Sequence, residues 1–142
     1  MSQSILITQC LQNDFVKPIG PHDPLPNLLH VGLDEARRLM GEDPAKGPVA
    51  RVMRWAYELP SDDLKVIHIR DWHDPEDPRQ RDHLRQFGPH CLQGTPGAGL
   101  ILGWDDGAAE RPNEHLVDAI ALNDFEDTVL PDLMNALIER YG

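Results

Sequence analysis

The middle of the sequence carries residues with the chemistry of metal ligands at short spacing. Asp71 and His73 lie two positions apart, so in an extended segment their side chains point to the same side. His90 follows further along the chain, and His83 between them is a candidate fourth ligand. One carboxylate and two imidazoles can hold zinc, manganese or iron and leave coordination positions for water. The alternative is a group of hydrogen-bonded or solvated loop histidines, since the chain has seven.

A cysteine stands at a second place where chemistry is expected. Cys10 follows an apolar segment, residues 4–8, that is typical of a buried strand. Ligand sites of open α/β sheets lie at the carboxyl ends of strands, so Cys10 is placed to be reactive. In the alternative interpretation its thiol fills space as a small apolar group. The glycine-rich run at 93–99 permits a tight turn, but no Lys-Ser or Lys-Thr pair follows it. We therefore expect no phosphate loop and no nucleotide cofactor.

The elements that must position these residues alternate along the chain. Short apolar runs predict strands at 4–8, 64–69 and 115–122. Apolar residues at helical spacing predict helices at 33–40, from 48 to a turn at 60–63, and from 128 to 141. Four prolines forbid regular structure within 16–30, and residues 71–114 form a long loop-rich excursion of the kind that carries function. This order predicts an α/β layered domain with a mainly parallel sheet.

Composition limits the classes of partner. Acidic residues number 24 against 13 basic ones, and the formal net charge is -11. Nucleic acids and anionic membranes both require a basic face, so we expect neither as a partner. No apolar run approaches the ~20 residues that span a bilayer, and no secretory signal is present at the N-terminus. We therefore expect a cytoplasmic protein in which both cysteines are free thiols.

Three segments together resemble the isochorismatase-like cysteine hydrolases, a family that includes the nicotinamidases. Leu-Ile-Thr-Gln-Cys-Leu-Gln-Asn-Asp-Phe (6–15) is similar to the opening strand of that family. Asp-Trp-His (71–73) and Pro-His-Cys-Leu-Gln-Gly-Thr-Pro-Gly-Ala (89–98) are similar to its metal-loop and turn motifs. The resemblance implies a three-layer α/β/α Rossmann-like sandwich with a mainly parallel six-stranded sheet. It also implies hydrolysis of small amides, or of a vinyl ether, by an Asp, a Lys and a nucleophilic Cys.

The resemblance further implies a divalent metal beside the site, held by Asp71, His73 and His90, and His83 stays a candidate fourth ligand on its position alone. Phe15 and Trp72, the aromatic residues of the matching motifs, are expected to line the pocket for a small molecule. The catalytic positions depart from the family pattern. Cys10 stands where the family has its Asp, Ala121-Leu122-Asn123 stands where a Lys is expected, and the nucleophilic Cys belongs to a region beyond residue 142.

These departures predict that residues 1–142 form one incomplete domain, lacking the C-terminal strands of the family. The first strand would then have unpaired backbone groups along one side, so we expect a second protein chain or a homo-oligomer to cover it. Three functions remain open at this point. The chain is a hydrolase that is incomplete or inactive alone, a non-catalytic relative that serves binding or assembly, or a metal-dependent hydrolase that uses Asp71, His73 and His90.

Overall fold

A computed structural model describes residues 3–105 and 111–142 and contains a parallel three-stranded sheet. Its strands are β1 (Ser4–Gln9), β2 (Leu64–Asp71) and β3 (Glu114–Ala119), in the order β1-β2-β3. The central strand β2 pairs with both neighbours in parallel. The three strands predicted from apolar runs are thus confirmed, although β2 runs to Asp71 and β3 ends before residue 122.

Helices cover both faces of the sheet, which confirms the α/β/α layering. They are α1 (Asn13–Val16), α2 (Leu33–Met40), α3 (Pro48–Glu58), α4 (Arg81–Phe87) and α5 (Leu130–Tyr141). The helices α2, α3 and α5 were predicted, and Gly41 ends α2 in the left-handed conformation that glycine favours, with φ 73°. The short helices α1 and α4 lie in segments without a clear periodic pattern, and the sequence did not predict them.

The main core lies between the sheet and α5. Its buried members come from β2, β3 and α5, and they are Ile67, Ile69, Val117, Ala119, Leu130 and Leu137. On the opposite face, α3 is joined to the sheet by polar groups. The Tyr57 hydroxyl donates to Glu114 Oε1 at 2.7 Å, and His68 Nε2 lies 2.6 Å from the same oxygen. The Thr8 hydroxyl lies 2.7 Å from His68 Nδ1, so each of these buried polar groups has a partner.

Strand β1 is exposed where the sequence predicted a buried strand. Ile5 is 36% exposed and Ile7 is 46% exposed, whereas residues 64–69 of β2 are all buried. The reason is the sheet order: β1 lies at an edge and pairs only with β2, and the core against α5 is built from β2 and β3. The expectation that one side of β1 carries unpaired backbone groups therefore holds for the described residues.

A second core joins the loops to the sheet. It contains Phe15 and Val16 of α1, Met40 of α2, and Cys91 and Ala98 of the long excursion. Backbone hydrogen bonds reinforce it, since Asn13 N donates to Gly99 O and Cys10 N donates to Ile69 O, both at 2.9 Å. This packing brings the excursion to the carboxyl ends of β1 and β2. In the described parts of the chain, no helix has the length and apolar character needed to cross a membrane.

Candidate metal centre and adjoining cleft

Four side chains with metal-ligating atoms meet beyond the carboxyl end of β2. They are Asp71, His73, His83 and His90, and one ligand atom of each lies within 4.8 Å of those of the others. Asp71 is the last residue of β2, His83 lies on α4, and His90 follows α4. The three residues predicted from spacing are thus brought together, and the candidate fourth ligand, His83, lies with them.

The ligating atoms point at one another. Asp71 Oδ2 lies 3.4 Å from His73 Nε2 and 3.6 Å from His90 Nε2. His83 Nε2 lies 3.4 Å from His90 Nε2. The side chains of His73 and His90 are fully buried, while Asp71 is 13% exposed. Four donor atoms therefore surround a space that is largely closed to solvent.

The outer nitrogen of each buried imidazole is held by an oxygen atom. His73 Nδ1 lies 2.8 Å from Gln80 Oε1, and His90 Nδ1 lies 2.7 Å from the carbonyl oxygen of Gly88. Because these oxygens can only accept, each Nδ1 carries the proton and each Nε2 presents a lone pair to the cluster. Such outer hydrogen bonds are the usual support of metal-binding histidines. The residues present therefore fit a divalent cation.

The charges of the cluster also suit a cation. Burial opposes ionisation of Asp71, but the hydrogen bonds and charges that His73 and His90 supply when they are protonated together lower its pKa to about 2. The pKa of His83 is lowered by burial and by the neighbouring imidazoles. For His90, burial opposes protonation, but the hydrogen bonds to Asp71 and to the Gly88 carbonyl, together with the nearby negative charges, raise the pKa. The cluster thus provides one ionised carboxylate, and its imidazoles would offer Nε2 lone pairs to a cation once they are deprotonated.

Two polar residues of the first motif fix the backbone around this cluster. The buried Gln12 side chain accepts from Asp71 N at 2.8 Å and donates to Asp71 O at 2.7 Å and to Ala98 O at 2.8 Å. Asp14 Oδ2 accepts from Cys91 N at 2.7 Å. Sequence reasoning did not assign these roles. Polar side chains flanked by apolar residues just after a strand are the signal that could have indicated them.

A cleft of about 340 Å³ adjoins the cluster and shares Asp71 with it. Its lining includes Cys10, the predicted pocket residue Phe15, and Asp124, with apolar side chains of α1 and the segment that follows. Cys10 Sγ lies 3.7 Å from Asp71 Oδ1. The other predicted pocket residue, Trp72, lies against the second core, with its ring 3.7 Å from the Arg70 guanidinium carbon.

The two cysteines are free, as predicted, and both lie in surroundings that oppose thiolate formation. Burial raises the pKa of Cys10, and the charges of Asp71 and Asp124 raise it further. Burial and the charge of Asp71 likewise raise the pKa of Cys91. Asp124, which sequence reasoning missed, has a pKa raised by burial and by Asp71. The role of Cys10 as a nucleophile stays a prediction, and its environment disfavours it.

Comparison with known proteins gives matches among solved structures. The pyrazinamidase/nicotinamidase of Streptococcus mutans matches with a TM-score of 0.68 and 22% identity, over 98% of this chain and 66% of that one. The N-carbamoylsarcosine amidase of Thermoplasma acidophilum matches with a TM-score of 0.59 and 21% identity, over 96% of this chain and 62% of that one. The pyrazinamidase of Pyrococcus horikoshii, solved in complex with zinc, matches with a TM-score of 0.57 and 18% identity, over 94% of this chain and 64% of that one. No family model and no curated protein matches the sequence.

These likenesses confirm the resemblance at the level of the fold. The chain has the isochorismatase-like α/β fold, which the matching structures share over nearly its whole length. It spans between 62% and 66% of the length of the three structures described above.

Proposed function

We propose that this chain binds a divalent metal ion, with zinc as the first candidate, as part of a hydrolase for small amides or related C–N and C–O compounds. The observation that carries the proposal is the convergence of Asp71 Oδ2 with the Nε2 atoms of His73, His83 and His90. Three imidazoles and one carboxylate form a nitrogen and oxygen donor set that zinc favours. The zinc complex of the Pyrococcus horikoshii pyrazinamidase supports the same choice of metal.

The metal would act as a Lewis acid at the edge of the cleft. The residues of this chain supply the support for it. Gln80 and the Gly88 carbonyl hold the imidazoles of His73 and His90 in the ligating tautomer. Gln12 fixes the backbone of Asp71, whose side chain belongs both to the metal cluster and to the cleft. A ligand in the cleft would therefore lie beside the metal centre.

The chain alone is proposed to lack the cysteine route of amide hydrolysis. That route needs an activated thiolate with its base and an oxyanion site in one place. Burial and the neighbouring carboxylate of Asp71 raise the pKa of the Cys10 thiol, and neither activates it as a nucleophile. Lys65 is buried at the start of β2, where its ammonium group donates to Gln3 Oε1 at 3.0 Å and lies over the ring of Tyr141. Further catalytic groups would have to come from another polypeptide segment.

The free edge of β1 is the proposed place for that segment. Ile5 and Ile7 are exposed on the face that α5 covers elsewhere, and Ile138 of α5 is 57% exposed. On the opposite face, a cavity of about 360 Å³ lies between β1 and the helices α2 and α3, lined in part by Val49, Val52 and Met53. An added parallel strand would pair the free backbone groups and bury these apolar side chains.

Native mass measurement and size-exclusion chromatography test this partner. We expect the purified chain to form a homo-oligomer or to co-purify with a second chain. Ile7→Lys should weaken that assembly, because a charge would replace an apolar contact, whereas Leu25→Lys at an exposed loop position should not. A stable monomer with a cooperative melting transition would contradict the proposal.

The cytoplasm is the proposed location of the protein. This proposal rests on the sequence and on the two free thiols.

Metal content tests the central proposal. We expect the purified protein to contain about one zinc ion per chain by elemental analysis, and we expect His73→Ala to lose it. His22→Ala serves as the matched control, because His22 is exposed and lies outside the cluster. Protein that stays metal-free in excess zinc, or a His73→Ala variant that binds zinc as tightly as the wild type, would refute the proposal.

A second candidate, a metal-dependent hydrolase that needs no cysteine, is favoured by the shared position of Asp71 and by Asp124 in the same cleft. Hydrolysis of a small amide that survives Cys10→Ala and is lost in His73→Ala would support this candidate. Activity that is lost in Cys10→Ala would instead make Cys10 the nucleophile. Metal binding without any hydrolysis would indicate a non-catalytic binding or assembly domain.

A further inference from the structure

The cleft beside the metal centre has an apolar wall. Phe15, Val16, Leu29 and Val31 line one part of it, and Leu11 and Leu39 extend it toward α2. Phe15 and Val16 are buried members of the second core, so this wall is held in place. A cavity volume of about 340 Å³ lies at the lower end of the range of small-molecule sites. The wall therefore suits a ligand with one apolar ring.

The charged part of the cleft lining is acidic. Asp71 and Asp124 both line the cleft together with Cys10, and beyond the effect of burial the charges of both carboxylates raise the pKa of the Cys10 thiol. The Gln9 side chain donates a hydrogen bond to Asp124 Oδ2 and holds that carboxylate at the cleft. Among the described residues that line the cleft, none is Lys or Arg. No positive side chain of this lining therefore balances the two carboxylates.

The two carboxylates differ in what else they contact. Asp71 directs Oδ2 at the histidines, and a bound cation would offset its charge. Asp124 is not a member of the metal cluster of the described residues. Its side-chain partner there is the neutral amide of Gln9. Asp124 is therefore the carboxylate whose charge stays available to a ligand.

We infer that the cleft selects small ligands with an apolar ring and a cationic nitrogen group, and that Asp124 is the residue that selects them. The inference rests on the proposed function in taking this cleft as the ligand site. A charge-assisted hydrogen bond from an ammonium group to Asp124 stabilises the complex, and the ring packs on Phe15. A ligand that carries a carboxylate meets repulsion from Asp124, and the described lining offers it no lysine or arginine side chain as a partner.

Three probes with the same ring test the inference: benzylammonium, benzamide and benzoate. Their dissociation constants are measured by ligand-observed NMR titration against the purified protein, with the metal content of the same sample determined in parallel. The expected order of affinity is benzylammonium, then benzamide, then benzoate. Benzylammonium should bind about tenfold or more tightly than benzamide, as a net charge-assisted hydrogen bond provides.

Asp124→Asn removes the charge and keeps an oxygen that can accept from Gln9. In this variant the affinity for benzylammonium should fall about tenfold, to that for benzamide. Glu126→Gln is the matched control, because Glu126 is an exposed carboxylate two positions away and does not line the cleft. The control should keep the wild-type order of affinities. Thermal melting of both variants verifies that they are folded.

Several results would overturn the inference. They are benzoate or benzamide binding as tightly as benzylammonium, an unchanged preference in Asp124→Asn, and absence of binding of all three probes. The metal measurement separates this inference from the proposed function. A metal-free protein that still prefers benzylammonium through Asp124 refutes the metal proposal and supports the ligand class. A zinc-loaded protein without that preference supports the metal proposal and refutes the ligand class.

Discussion

Replacing Gln80 by Leu tests whether the contacts around the histidines were built for a metal. Gln80 is 2% exposed, and its Oε1 accepts from His73 Nδ1 at 2.8 Å. Leu has a similar volume but no acceptor. With zinc on Nε2, the proton of His73 must stay on Nδ1, where the variant leaves it buried and unpaired. Without metal, the proton can move to Nε2 and be donated to Asp71, 3.4 Å away. The cost therefore falls mainly on the metal-bound state.

The size of this effect follows from the lost hydrogen bond. A buried donor left without a partner costs about 1–3 kcal/mol. At about 1.4 kcal/mol per factor of ten, zinc affinity should fall about 10- to 100-fold, which is also typical of such outer contacts. Loss of the bond from Gln80 Nε2 to Asp77, 3.0 Å, lowers the free energy of unfolding with and without metal. It therefore does not account for the change in affinity.

Competition titration with a chromogenic zinc chelator measures the affinity, and urea denaturation of the metal-free proteins verifies folding. Gln86→Leu is the matched control, because Gln86 lies exposed on α4, the helix that begins directly after Gln80. It should bind zinc as the wild type does. A folded Gln80→Leu variant with wild-type affinity, or an equal loss in Gln86→Leu, would refute the reasoning.

Three further predictions concern pH, thiol reactivity and backbone packing. Zinc affinity should fall when pH is lowered from about 8 to about 6, because His90 must be deprotonated to bind metal and its raised pKa lets protons compete. Equal affinities in competition titrations at the two pH values would contradict this prediction. Burial and Asp71 raise the pKa of Cys10, so iodoacetamide should alkylate it at least about tenfold more slowly than free cysteine near neutral pH, and faster in Asp71→Asn. Mass spectrometry measures the rate of labelling. A rate equal to that of free cysteine would contradict the raised pKa of Cys10. In Gly97→Ala, the new Cβ would overlap the Asp14 carboxylate and displace it from its hydrogen bond to the Cys91 amide, lowering the free energy of unfolding by about 1–3 kcal/mol. An unchanged urea midpoint would show that the loop has room.

The sequence predicted the elements well where local pattern decides them. Short windows of sequence show the apolar stripes of α2, α3 and α5 and the apolar runs of the strands. It predicted α1 and α4 poorly, because helices of four and seven residues carry too little periodicity and depend on their surroundings. It also predicted a buried β1, since an apolar run does not tell an edge strand from a central one.

Part of the metal centre was determined by the sequence itself. The spacing of Asp71 and His73 puts their side chains on the same side of the extended chain at the end of β2, and His90 belongs to a recognisable motif. The positions of His83, Gln80 and Asp124 were decided only by the tertiary structure. They depend on how the long excursion and the segment after β3 pack back onto the sheet. Such contacts join residues far apart in sequence, and spacing along the chain carries no information about them.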